Sequence, residues 1–206
     1  MSARRLAPLA CLAMAMLGGC AHAPGLEIGY PDAAANRSLL ASVGSRRVVI
    51  PPVSDARLEP ARIGVKTPSN GKSDNDFVTT RPVGDIVRDA VATEMAANGH
   101  AVVAGHGDVV LPTQVEEFWL DVVHGRSTTQ YVGKVVFVLT VLDGRTGDQL
   151  VSHRYIATKR EEVEHPSDDA ARAVMDAALS RTMHDVATDP TIVAAFARAT
   201  AAATPR

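Results

Sequence analysis

Tyr131-Val132-Gly133-Lys134-Val135-Val136-Phe137-Val138-Leu139-Thr140-Val141-Leu142 is the stretch whose reading decides the fold. From Val135 to Leu139 both alternating faces are apolar, which predicts a central strand covered on both sides. Asp143-Gly144-Arg145-Thr146-Gly147 then has the composition of a hairpin turn leading into a strand over 149–157. Upstream, the residues from Val109 to Val123 alternate as another long strand, interrupted at Pro112, which has no amide hydrogen to offer a neighbour. The three together predict a meander.

Around this centre the period changes. Arg47-Val48-Val49-Ile50 reads as a first strand stopped by Pro51-Pro52, and 100–104 as a short one closed by the turn Gly105-His106-Gly107-Asp108. Between Ser54 and Thr80 the chain is rich in Pro, Gly, Ser, Asn and Asp and reads as a long surface loop. Val83, Ile86, Val87, Ala90, Val91 and Met95 fall on one helical stripe that Asn98-Gly99 ends. A second stripe, Ala171, Val174, Met175, Ala178, Leu179, Met183 and Val186, starts at Ser167 and stops at Thr188. Pro190 opens a short third helix with Ile192, Val193 and Phe196. The expected class is α+β: one domain, with a mixed, mainly antiparallel sheet of about four to five strands, two main helices packed on it and a short C-terminal helix.

The first residues carry a different message. Met1-Ser2-Ala3-Arg4-Arg5 is a basic start, Leu6 to Leu17 holds no charge, and small residues lead to a cysteine: Leu17-Gly18-Gly19-Cys20. The apolar stretch is short of the roughly 20 residues a spanning helix needs, so it reads as a signal peptide. Leu17, Gly18, Gly19 and Cys20 resemble a bacterial lipobox, which implies cleavage between Gly19 and Cys20, a diacylglyceryl group on the Cys20 thiol and an N-acyl chain on its amine. Several acyl chains anchor a protein in effect permanently, at about 0.8 kcal/mol per buried methylene. By the sorting rule of enteric bacteria, Ala21 in second place implies the outer membrane. The expected organisation is a leader over 1–19, a lipidated N-terminus and flexible tether over 20–45, one periplasmic domain over 46–199 and a disordered tail over 200–206.

Composition narrows the partners. Apolar residues at 46% and charged ones at 21% place the chain among globular proteins. The leader removes two of the 21 basic residues and none of the 23 acids, so the mature chain is more acidic than the formal −2 of the whole. With no basic stripe to release counterions, nucleic acid is not expected as a partner. Cys11 leaves with the leader and Cys20 has no partner, so no internal disulfide is expected.

Together with the lipobox, the stretch Ile50-Pro51-Pro52-Val53-Ser54-Asp55-Ala56-Arg57, the helix start Arg81-Pro82-Val83 and the end from Ala170 through Asp189-Pro190-Thr191-Ile192 resemble the YajG family of bacterial lipoproteins. The resemblance covers nearly all of the mature chain. It implies an envelope location and brings no activity or substrate. The architecture is also similar to small α/β envelope lipoproteins, including auxiliary components of lipid transport systems.

A search for chemistry returns little. His22, His100, His106, His124, His153, His165 and His184 form no pair with metal-ligand spacing, so neither a metal nor any cofactor beyond the acyl chains is expected. There is no G-x-S-x-G turn, and Glu116 and Glu117, as strand neighbours, are expected on opposite faces. Glu161, Glu162 and Glu164 beside His165 read as a solvated strand end, and Gly105-x-Gly107 precedes a strand where a phosphate loop needs a helix. Phe118 and Trp119 face opposite ways; Trp119 reads as core, or as a contact surface if exposed. The leading expectation is a non-enzymatic, anchored module that binds or scaffolds another envelope protein. The alternatives are a carrier of lipid or another apolar ligand, and an envelope enzyme.

Overall fold

A computed structural model describes residues 25–35, 37–66 and 76–199. The expected leader and lipobox, residues 67–75 of the expected loop and the expected tail over 200–206 lie outside them. Among the described residues, three α-helices and nine strands form one mixed α+β domain.

The three long strands follow the alternation of the sequence. Label the strands in chain order: β1 Arg47–Val49, β2 Ser54–Asp55, β3 Gly64–Val65, β4 Asp76–Phe77, β5 Ala101–Val102, β6 Val109–Val110, β7 Thr113–His124, β8 Thr129–Asp143 and β9 Gln149–Val163. β8 pairs antiparallel with β9 on one edge and with β7 and then β6 on the other. Pro112 separates β6 from β7 yet its carbonyl still accepts from Thr140 N at 3.0 Å, so the two short of a single strand share one edge of β8.

The sheet has nine strands, not four to five, and is mixed rather than mainly antiparallel. β1 lies parallel to both β5 and β6, and β2 and β3 lie parallel to β7. Most of the additions are two-residue pieces, too short to show any period. Three of them come from the stretch expected as a surface loop: β2 and β3 pair with β7 and β4 with β3, and Ile63 and Phe77 from the same stretch are buried.

Helices cover one face of this sheet. α1 (Val83–Ala97), α2 (Asp168–Thr188) and α3 (Pro190–Arg198) join a single core with Phe118, Leu120, Val135, Phe137, Leu139 and Tyr155. α1 buries the predicted stripe and ends in a Schellman motif: His100 N donates to Met95 O, Gly99 N to Ala96 O, and Gly99 takes φ +88°. Ser167 Oγ caps α2 by accepting from Ala170 N, and Asp168 and Asp169 oppose the positive end of its dipole. α2 comes close to β8 because residue 133 is glycine. A Cβ there would stand 3.0 Å from both Met175 Sδ and Val174 Cγ1. The expected two-sided cover of β8 is therefore corrected: helices lie on the Phe137 side only.

The expected tether is corrected from Gly25 onward. Leu26 bridges Thr79 in parallel, and Leu26, Ile28 and Leu40 are buried with the core. The apolar residues of this segment follow neither the helix nor the strand period, because it is a strap drawn over α1 and α2. If Leu40, with none of its surface exposed, is truncated to Ala, the loss of stability is expected to be about 2–5 kcal/mol. Urea unfolding of the leaderless chain measures this; a loss below about 0.5 kcal/mol, the range of surface changes, would return the segment to the status of a tether.

Candidate functional site

The predicted site residues, Leu17, Gly18, Gly19 and Cys20, lie outside the described residues. What the structure positions is the chain that follows them. Leu26 N donates to Val78 O at 2.8 Å and Leu26 O accepts from Thr80 N at 3.2 Å, so the strap starts fastened beside the entry to α1. Gly29 N then donates to Asp176 Oδ1 on α2, at 2.9 Å. At the far end Ser38 reaches the last turns of both helices, its N donating to Asn98 Oδ1 at 2.9 Å and its Oγ to Ala187 O at 2.8 Å.

Midway, the strap crosses a buried acid. Tyr30 Oη donates to Glu94 Oε2 at 2.5 Å, and Asn98 Nδ2 donates to Glu94 Oε1 at 2.9 Å. Burial pushes the Glu94 carboxyl above the usual glutamate range, against the lowering by those two donors. Burial raises the Tyr30 phenol as well, helped by the neighbouring carboxylate. A carboxyl whose folded pKa is raised binds its proton more tightly when folded, so its contribution to stability is lost as pH rises through the folded value. Glu94→Gln keeps the shape and removes the titration. The stability of this variant relative to the unsubstituted chain should therefore increase as pH rises above 4.5 and then level off. Denaturant curves across pH check this; a constant difference would show that Glu94 is not held in the burial described.

The other feature is the sheet face turned away from the helices. On it lie Trp119 of β7, Val132, Val136 and Val138 of β8, and Ile156 of β9. Val136 is fully buried among its neighbours' side chains although it stands outside the main core, whereas Ile156 is 52% exposed. Ion pairs lie across it: Glu117 Oε2 to Lys134 Nζ at 2.8 Å and Glu116 Oε2 to Arg154 Nε at 2.6 Å. Both glutamates thus serve the same face. The expectation of opposite faces fails because a β-bulge between Val115 and Glu117 inserts one residue into the alternation. Trp119 is half-buried here and not in the core; its indole N donates to Asp121 Oδ1 at 2.8 Å, and the Arg62 guanidinium lies 5.9 Å from the ring centroid. Beside it, a groove of about 380 Å³ runs past the fully exposed Leu58.

Asp108 Oδ2 accepts from Arg47 N at 2.8 Å and holds its turn against β1, while His106 is exposed. Glu161, Glu162, Glu164 and His165 are exposed at the end of β9. Sequence reasoning missed one cluster. Asp189 accepts from Tyr155 Oη at 2.7 Å and from Thr191 N at 2.7 Å, and pairs with His153 Nδ1 at 3.1 Å. Burial opposes its charge, but these donors hold the carboxyl below the usual aspartate range. Its place before Pro190 signals a helix cap, and that is its role; only the fold brings His153 and Tyr155 to it. Among the described residues no three His, Cys, Asp or Glu side chains gather as metal ligands, and no helix is long and apolar enough to cross a membrane.

Comparison with known proteins defines the class. A family model described as uncharacterized lipoprotein matches residues 47–196, and the chain belongs to that family. Its fold is similar to that of a protein from Xanthomonas campestris, with a TM-score of 0.57 at 17% identity, covering 84% of this chain and 95% of that one. A minor lipoprotein from Acinetobacter baumannii is a more distant likeness, with a TM-score of 0.39 at 11% identity over 70% of this chain and 92% of that one. No curated protein matches the chain.

Proposed function

We propose that the protein is an envelope lipoprotein of the YajG type that works as a non-catalytic binding or scaffold module. The leader is cut between Gly19 and Cys20, Cys20 carries a diacylglyceryl group and an N-acyl chain, and Ala21 directs the product to the periplasmic face of the outer membrane. Its partner is another envelope protein.

The observation that carries this reading is the open sheet face. An antiparallel sheet with helices on one side ordinarily turns polar residues outward. Trp119, Val138 and Ile156 instead leave partly exposed aromatic and apolar surface between the ion pairs Glu117–Lys134 and Glu116–Arg154, a mixture that suits a protein contact. One groove, of about 870 Å³, is lined by Arg81, Arg172 and five acids, among them Asp168 and Asp169, a lining that suits an apolar ligand poorly.

A photo-reactive residue in place of Ile156 tests the reading in intact cells. The expected result is a discrete cross-linked product that is lost when Trp119→Ala is added and is not formed from exposed Asp148 at the hairpin turn. Free monomer alone, or the same products from both positions, would count against a partner on this face.

A further inference from the structure

We propose that one pole of the domain, where Gly25, Thr80 and the amino ends of α1 and α2 meet, is held against the headgroup layer of the bilayer. The proposal rests on the lipidation of Cys20.

The argument is one of length. Between Cys20 and Gly25 stand only Ala21, His22, Ala23 and Pro24. Five Cα-to-Cα steps span at most about 18 Å even when fully extended. A tether running to residue 45 would have let the body stand well off the membrane, but the strap is already fastened at Leu26 by its bridge to Thr79. Gly25 and Leu26 share a groove with Arg81 and with Asp168 and Asp169 at the start of α2, and the strap then passes Asp176 at Gly29 and reaches Asn98 and Ala187 at Ser38, so it runs from the beginnings of both helices toward their ends. α1 and α2 consequently point the same way, with both amino ends at the anchored pole. α2 alone, at 21 residues, is about 32 Å long. The opposite pole, with α3, therefore stands farther from the anchor than the free chain can reach.

Three elements share the anchored pole. Gly25 and Leu26 line one groove with Arg81 and Asp168, and Asp168 lines a second with His124 from the end of β7. Its bases are paired, Lys66 Nζ to Asp168 Oδ1 and Arg81 Nη1 to Asp89 Oδ2, each at 2.7 Å, and acids outnumber bases in its groove. Such a surface neither penetrates the acyl interior nor needs anionic lipid, and a zwitterionic headgroup layer is the partner it fits.

The test uses the lipidated chain reconstituted into phosphatidylcholine vesicles with headgroup-attached nitroxide. Two single-cysteine variants, Thr80→Cys at the anchored pole and Ala197→Cys on α3, carry a fluorophore; both positions are exposed. With the Cys20 thiol consumed by lipid, each variant offers one reactive thiol. Intact mass and a labelling ratio above one would reveal an unlipidated chain, a failure of the underlying reading and not of the orientation. The expected result is quenching several-fold stronger at 80 than at 197, unchanged when phosphatidylglycerol is added. A Gly-Ser linker of about 24 residues placed after Ala21, with an r.m.s. span of about 27 Å, should abolish the difference. Equal quenching at the two positions in the chain of native length, or a difference that appears only with phosphatidylglycerol, would overturn the proposal.

Discussion

The approach of α2 to β8 is the contact on which the rest of the structure depends. Gly133 lets Met175 and Val174 sit directly on the strand backbone, and the alternation of β8 then puts Val135, Phe137 and Leu139 under the helix layer. With β8 fixed, β7 and β9 pair along its length, and β1, β2, β3 and β6 find their places on edges that these strands create. A larger side chain at 133 would lift the helix from the sheet it covers.

How much of this was legible depended on how far each pattern runs. α1 and α2 each hold one apolar stripe for several turns, and Ser167, Asn98-Gly99 and Asp189-Pro190 mark their ends, so their positions could be read. The long strands could be read for the same reason. A two-residue strand has no period, and a parallel pairing such as Arg47 with Ala101 is set by the crossover through α1 and by nothing local. The bulge at Glu116 is invisible because it is a departure from the alternation used to find the strand. Leu26, Ile28 and Leu40 looked like the scattered apolar residues of a linker, since the surface they fit is made by helices far along the chain.

The candidate site divides in the same way. Leu17 to Cys20 resembles a signal of the kind a peptidase and an acyltransferase read without any fold, so the expectation rests on the sequence alone. The open face needs three strands in register before Trp119, Val136 and Ile156 come to share it. Tyr155 and Asp189 are 34 residues apart, and no spacing rule connects them.

The strap also sets the order in which the molecule can be completed. Gly29 is 147 residues from its acceptor Asp176, and Ser38 is 149 from Ala187, so the segment made first binds to the segment made nearly last. Closing loops of that length is slow relative to forming hairpins and helices. The meander and its helices therefore assemble while the front of the chain is still loose, and docking of that front is the step that draws the finished body in toward its own N-terminus.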